Sequence, residues 1–476
     1  MLGRIFKWAG IVLGGLMLVP LLLFAVAWLV NSRVDEPLTP LTQALLHGPQ
    51  QRCLPGDNIY LAIEGFDAPP GVSPIVAGQA KIEYYNQRID AVLHDPTPAN
   101  VALLRAPDAQ RLAFTGDVGF LHPLDGSVWD EAALHRQEIE RLLADNGELY
   151  QRYLALIDLH AYCETARPSE LAPFPLAPTE VRKLFLGALA LHLRSSFARE
   201  RRRAFADLQG DIQLWRVVLT APGALLWKML AVAYLESDEL LLADLVADGQ
   251  IALPPFADDT DVTPLFAFRD FDIGSAFAAE FRIMASVLRQ PDDRSATAWG
   301  SAGAEHGAVR GWLNRAGNRV TGHFFKLNAT LNLIARQTAR EMVSASDPAR
   351  FQQAMRAPRG FLPEGESVWL LPLSYNFVGK ILAAVATPAY ESYPGRAWDA
   401  AALQRVVRAG YEIRQQRLKA AKISAFLREH PGLSTHPANG RPFLWNGKSS
   451  ELTVPTMAQH PPGRRFTIRV WQAPLD

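Results

Sequence analysis

The chain has 476 residues, 49% hydrophobic and 20% charged, which is enough apolar material for a large core and rules out a disordered chain. Its 48 lysines and arginines balance 48 aspartates and glutamates. A chain without a basic excess is a poor match for a phosphate backbone, so nucleic acid is not expected as a partner.

The first element is an apolar run. Residues 1–7 carry Arg4 and Lys7, and Trp8 to Val30 contains no charge. About 23 residues at 1.5 Å each reach roughly 35 Å, enough to cross a hydrocarbon core of about 30 Å. Pro20 and the Gly14-Gly15 pair are tolerated in such helices, and Trp8 and Trp28 sit near the ends, where indoles prefer the interface. Arg33 follows, but Asp35 and Glu36 come close behind. The positive-inside rule then predicts a cytoplasmic segment 1–7, a transmembrane signal-anchor 8–30 and a body on the far side. With arginine well above lysine and abundant alanine and leucine, as in GC-rich bacterial genomes, the expected place is a bacterial inner membrane, single-pass, with a periplasmic body. The alternative is a signal peptide cleaved at Ala25-Val26-Ala27, leaving a soluble periplasmic protein. Against it, Trp28-Leu29-Val30 continues the run past that site. With no cysteine near the run, a lipoprotein is excluded.

Residues 31–50 read as a juxtamembrane stalk interrupted by Pro37 and Pro40. Ile59 to Ile63 is predicted as a short strand ended by Gly65 and Pro69-Pro70-Gly71, and Arg111 to Phe114 as another. Trp129 to Ala144 and Leu149 to Tyr162 form a helical hairpin broken near Asn146-Gly147. After a proline-rich connection, Thr179 to Asp207 is predicted as one long helix, apolar nearly all round from Leu184 to Leu193. Ile212 to Leu235 is apolar too, but Arg216, Lys228 and Ala221-Pro222-Gly223 argue against a second span. Ser237 to Asp248 is predicted as a serine-capped helix, and Ile251 to Phe271 as a loop. Helices follow at Ile273 to Arg289, His306 to Ala316, Gly322 to Ser344, Pro348 to Met355 and Ala397 to His430. Phe443 to Trp445 and Glu451 to Val454 form a hairpin with a type I′ signal at Asn446-Gly447. In Arg465 to Trp471, Phe466, Ile468 and Val470 alternate with polar neighbours, so a small antiparallel sheet closes the chain.

The fold class is therefore mainly α: one transmembrane helix, a multi-helix body over 51–430 with short β elements near its start and a possible internal boundary near 250–272, and a small sheet in 431–476. Cys53 and Cys163, both beyond the apolar run, are expected to pair in an oxidising compartment. They have no C-x-x-C spacing, which excludes a thioredoxin-like site and a zinc ribbon.

The sequence has no H-E-x-x-H, G-x-S-x-G or S-x-x-K. Gly447-Lys448-Ser449 imitates the end of a phosphate loop, but Pro442 stands where its first glycine belongs. Asp258, Asp259, Asp261, Asp270 and Asp272 read as a solvated acidic loop rather than a calcium site. Arg199, Arg201, Arg202 and Arg203 read as the basic end of a long helix. His192 reads as a core histidine, and His306 with Arg310 as a helix-face pair without a nucleophile. Asn328 falls on the apolar face shared by Phe324, Leu327, Leu331, Ala335 and Met342. A buried amide needs partners, so Asn328 is expected to cross-link helices or line a pocket. No catalytic, cofactor-binding or metal-ligating residue is assigned, and no cofactor is expected. The leading reading is a membrane-anchored protein that binds or organises envelope components, with the membrane and envelope proteins as partners and the oligomeric state open. The alternative is an exported, hydrolase-like enzyme whose site is assembled from distant residues.

Overall fold

The computed structural model describes residues 18–49, 53–54, 56–94, 97–104, 111–174, 177–249, 266–289, 322–356, 370–386 and 392–471. It is mainly helical, with a small C-terminal antiparallel sheet. The chain forms two compact units. One comprises 1–48, 281–341 and 356–390; the other comprises 49–280, 342–355 and 391–476.

In the first unit, residues 18–31 are helical (α1) and Pro40–His47 is a second helix (α2). Pro40 starts α2 rather than interrupting it. Proline at the first position loses no helical hydrogen bond, and the Thr39 hydroxyl accepts from Thr42 N. Nine large apolar side chains of α1 are exposed, from Leu18 to Leu29. Among the described residues no helix is long and apolar enough to cross a membrane; residues 8–17 of the expected span lie outside them.

The second unit begins with Ile59–Glu64 (α3), where a strand was expected. A five-residue apolar run does not fix its own period, and the Asn58 side chain decides the outcome by accepting from Tyr60 N. Arg111 to Phe114, the other expected strand, has no regular structure. Pro74–His94 (α4) crosses α3 where Gly65 and Gly78 bring the backbones together. A Cβ on Gly78 would stand 1.9 Å from the Leu61 carbonyl oxygen. After the short helix Pro98–Ala102 (α5) come Val128–Leu134 (α6), Arg136–Asp145 (α7) and Gly147–Ile157 (α8). The break expected near Asn146-Gly147 is present, but the first expected helix is divided at His135 and the second ends at Ile157 rather than Tyr162.

The predicted long helix 179–207 is two: Ala177–Leu193 (α9) and Ala198–Thr220 (α10). The Ser195 hydroxyl makes the break by accepting from Phe197 N and pairing with Glu200. The arginines 199–203 therefore open a helix instead of ending one, and Arg201 donates to the Ser195 carbonyl at 2.7 Å. Leu225–Ala247 (α11) follows as one buried helix. Its start and the end of α10 cap each other's surroundings: Glu164 accepts from Ala224 N at 2.8 Å, and buried Lys228 donates to Val218 O and Ala221 O. Ser237, expected as an N-cap, lies inside α11, where its hydroxyl donates back to Tyr234 O.

Helices Gly274–Leu288 (α12) and Leu327–Ser346 (α13) each carry residues of both units; between them, the expected helix His306 to Ala316 lies outside the described residues. Pro348–Arg356 (α14), Phe377–Ala386 (α15), Tyr393–Gln415 (α16), Ala420–Glu429 (α17) and Pro431–Ser434 (α18) complete the helices. The helix expected over 397–430 is broken at Arg417, whose φ is 52°. Strands Leu444–Asn446 (β1), Glu451–Thr453 (β2) and Thr467–Arg469 (β3) pair antiparallel in that order, with Trp445 opposite Leu452 and Leu452 opposite Ile468. Phe466, Ile468 and Val470 are buried, as their alternation predicts. The loop between β1 and β2 spans four residues, Gly447 to Ser450, rather than a two-residue turn at Asn446-Gly447.

Candidate functional site

Cys53 and Cys163 are joined in a disulfide, with Cα atoms 6.0 Å apart. Asn58 locks the partner segment by donating to Cys163 O and accepting from Cys163 N. Asn328 lies elsewhere, in the other unit. It is half-buried, because it sits in the first turn of α13, where its backbone N–H donates to Asp35. The buried amide is Asn332, one turn later. It accepts from Thr39 N and Thr42 Oγ1 and donates to Pro37 O, a cross-link at a residue that was not the expected one.

The polar centre that sequence reading missed is on α11. Glu236, Ser237, Asp238 and Glu239 are consecutive and all buried. Four neighbours on a helix point in different directions, so each needs its own partner. Arg182 of α9, 2% exposed, supplies two of them. Its Nη1 donates to Ser237 Oγ at 2.7 Å, and its Nη2 to Asp238 at 2.5 Å and Asp211 at 2.9 Å. The guanidinium also lies 4.2 Å above the Tyr234 ring. Asp211 accepts in turn from Tyr153 Oη at 2.6 Å and Trp215 Nε1 at 3.1 Å. Burial opposes the charge on Arg182, but Asp238 and Asp211 outweigh it and hold its pKa up. Asp238 is pushed well above the usual carboxylate range by burial, against the pull of Arg182, with Asp211 adding to the rise. One guanidinium thus serves two buried carboxylates.

Three further carboxylates hold the C-terminal segment. Glu236 binds Arg464 through Nε at 2.8 Å and also through Nη2. Asp244 takes Arg465 at 2.7 and 3.1 Å and the Ser127 hydroxyl at 2.9 Å. Asp399 of α16, fully buried, accepts from His436 Nε2 at 3.0 Å, His460 Nε2 at 2.7 Å and the amides of Met457 and Ala458. Burial works against this carboxylate, but the two imidazoles and two amides outweigh it and keep its pKa below the ordinary value. His436 Nδ1 accepts from Ala438 N, whereas His460 Nδ1 is buried with no hydrogen-bond partner.

Beside this network lies a cleft of about 360 Å³ lined by Leu121, Thr179, Arg182, Lys183, Tyr234 and Arg464, among others. Neither a known family, nor a curated protein, nor a solved structure matches the chain. The cleft must be judged on its own chemistry. Arg182 and Arg464 are engaged by carboxylates, and Ser237 both donates and accepts within the network. The arrangement orders helices and offers a mostly apolar groove with Arg182, Lys183 and Arg464 in its lining.

The remaining sequence candidates resolve differently. His192 is exposed, not a core residue. Asp270 binds Arg216 at 2.8 Å, and Asp272 accepts from Gly274 N and Ser346 Oγ, so both serve the fold. Asp258, Asp259, Asp261, His306 and Arg310 lie outside the described residues. Among the described residues no group of three or more potential ligands gathers to hold a metal. Lys448 lies in the loop between β1 and β2, its amide donating to Asn446 Oδ1.

Proposed function

We propose that the protein is a body held at the outer face of a bacterial inner membrane by residues 8–30, where it binds or organises envelope components. The observation that carries this reading is the Cys53–Cys163 disulfide, since such bonds persist in oxidising compartments. Two features support an anchor over a cleaved signal peptide. Ala27, in the A-x-A pattern, is 6% exposed, and Trp28 stacks on His323 at 3.8 Å, so the fold uses residues that flank the cleavage site. Binding is favoured over turnover because Arg182, Ser237 and Arg464, on the cleft, are engaged within the buried network.

A reporter that fluoresces only in the cytoplasm, fused after Asp476, is expected to be silent in cells, and both cysteines are expected to resist alkylation until reduced. A bright fusion with freely alkylated cysteines would overturn the topology and the function with it. An enzyme remains the second reading on one observation: Asp399 orients His460 while leaving its Nδ1 without a partner. Hydrolysis of a chromogenic ester or peptide panel, abolished by His460→Gln, would favour that reading.

A further inference from the structure

The contacts of α1 carry a consequence for where the body meets lipid. Phe24, Ala27, Trp28 and Asn31 are spaced three, one and three residues apart, which puts them on one helix stripe. That stripe is docked. Phe24 and Trp28 each meet Phe324 with ring centroids 6.2 Å apart, and His323 stacks on Trp28 and places Nε2 3.0 Å from the Trp28 carbonyl oxygen. Asn31 donates to Ala27 O and Ser374 O and accepts from Asn376 N. The segment that follows is fastened as well. Asp35 caps α13 through the amides of Asn328 and Ala329, and Asn332 grips residues 37–42. The chain leaving the apolar helix is therefore clamped, and the last turns of that helix cannot separate from residues 322–324 without breaking these bonds.

Depth follows from helix geometry, given the proposed span. With Val30 at the outer boundary of the hydrocarbon, Phe24 lies about 9 Å and Trp28 about 3 Å below it at 1.5 Å per residue, less if the helix tilts. The Phe324 ring touches both. Its turn must then enter the same layer. The chemistry agrees: Gly322 is exposed without a side chain, Phe324 is apolar, and the ring nitrogen of His323 faces a carbonyl instead of hydrocarbon. The other faces of α1 at this level, Leu22, Leu23, Val26 and Leu29, are left open.

We propose that residues 322–324 are immersed in the outer leaflet of the bilayer, so that the body is seated in lipid at a second point beside its anchor. This rests on the anchor reading, and the test separates the two. The two native cysteines are bonded, so an added cysteine can be labelled singly in the unreduced full chain. Gly322→Cys places a dye where an added Cβ meets nothing within 4 Å, and Leu22→Cys places one within the span. Each labelled protein is reconstituted in phosphatidylglycerol–phosphatidylethanolamine vesicles carrying a doxyl quencher either near the headgroup or near the chain end. The dye at 322 is expected to lose most of its emission to the shallow quencher and little to the deep one, with the reverse at 22. In parallel, wild-type protein in vesicles with diazirine-bearing lipid is expected to yield lipid adducts on the tryptic peptide 320–326. Quenching at 22 with none at 322 and no adduct on 320–326 overturns this inference and leaves the anchor standing. No quenching at either position overturns the anchor itself.

Discussion

Arg182 serves two buried acids at once, Asp211 and Asp238. Asp211 is held by Tyr153 and Trp215 as well as by Arg182, whereas burial pushes Asp238 well above the usual carboxylate range. Glu239 makes a sharper case. Burial raises its pKa to about 8, whereas in an unfolded chain it titrates near 4.5. Between those values the folded state binds the proton and the unfolded state does not, so stability falls as pH rises through the window, by about 1.4 kcal/mol per pH unit for this group. Glu239→Gln removes the titration while keeping the shape. Its melting temperature is expected to lie closest to wild type at pH 5 and to exceed it by a growing margin up to pH 8. A difference that is constant with pH, or largest at pH 5, would sink the argument. None of this centre was legible beforehand. The run Glu236 to Glu239 has the composition of a solvent-facing helix start, and its partners stand far away in sequence, Arg182 before it and Arg464 after it. The helical stripe on α13 was legible to within a turn, because phase arithmetic sees the face but not that Asn328 lies in the opening turn.

Between elements, α3 and α4 approach closely. Backbone meets backbone at Gly65 and Gly78, and a Cβ on Gly78 would press on the Leu61 carbonyl, which cannot rotate aside. Gly78→Ala is expected to destabilise the fold by about 1–3 kcal/mol in denaturant titration, the usual range for overpacking. Gly147→Ala, where an added Cβ meets nothing within 4 Å, is expected to be neutral or mildly stabilising. Equal midpoints for the two variants would show that the helices do not pack as described. The C-terminal sheet could be read from sequence because a two-residue alternation declares itself in five residues. The strand expected at 59–63 could not be judged that way, since a continuous apolar run has no alternation to read. Helix α4 carried a signal that went unused: Ile82, Tyr85, Ile89 and Val92 are buried at helical spacing behind Pro74.

Across the whole molecule, neither unit is a continuous stretch of sequence. A boundary sought in composition, such as the proline- and aspartate-rich 250–272, does not reveal this, because the division is set by contacts between distant segments. Within the larger unit, residues 436–465 supply cations or imidazoles to three buried carboxylates, Glu236, Asp244 and Asp399. Ending the chain after Thr435 strips all three at once, and an unpaired buried charge costs several kcal/mol. The shortened protein is expected to lose its near-ultraviolet circular dichroism and become protease-sensitive, with partial recovery when Glu236→Gln, Asp244→Asn and Asp399→Asn are combined with the truncation. A truncated chain that melts like wild type would show that these pairs are idle. The docking of Trp28 against His323 has a further implication for biogenesis. The two residues are 295 positions apart, and translation at about 5–20 residues per second separates their emergence by roughly 15–60 s. Throughout that interval the aromatic stripe of α1 waits without its partner, so it reaches its final packing long after it is made. A nascent chain in that state exposes unpaired apolar surface, and slower synthesis lengthens that exposure.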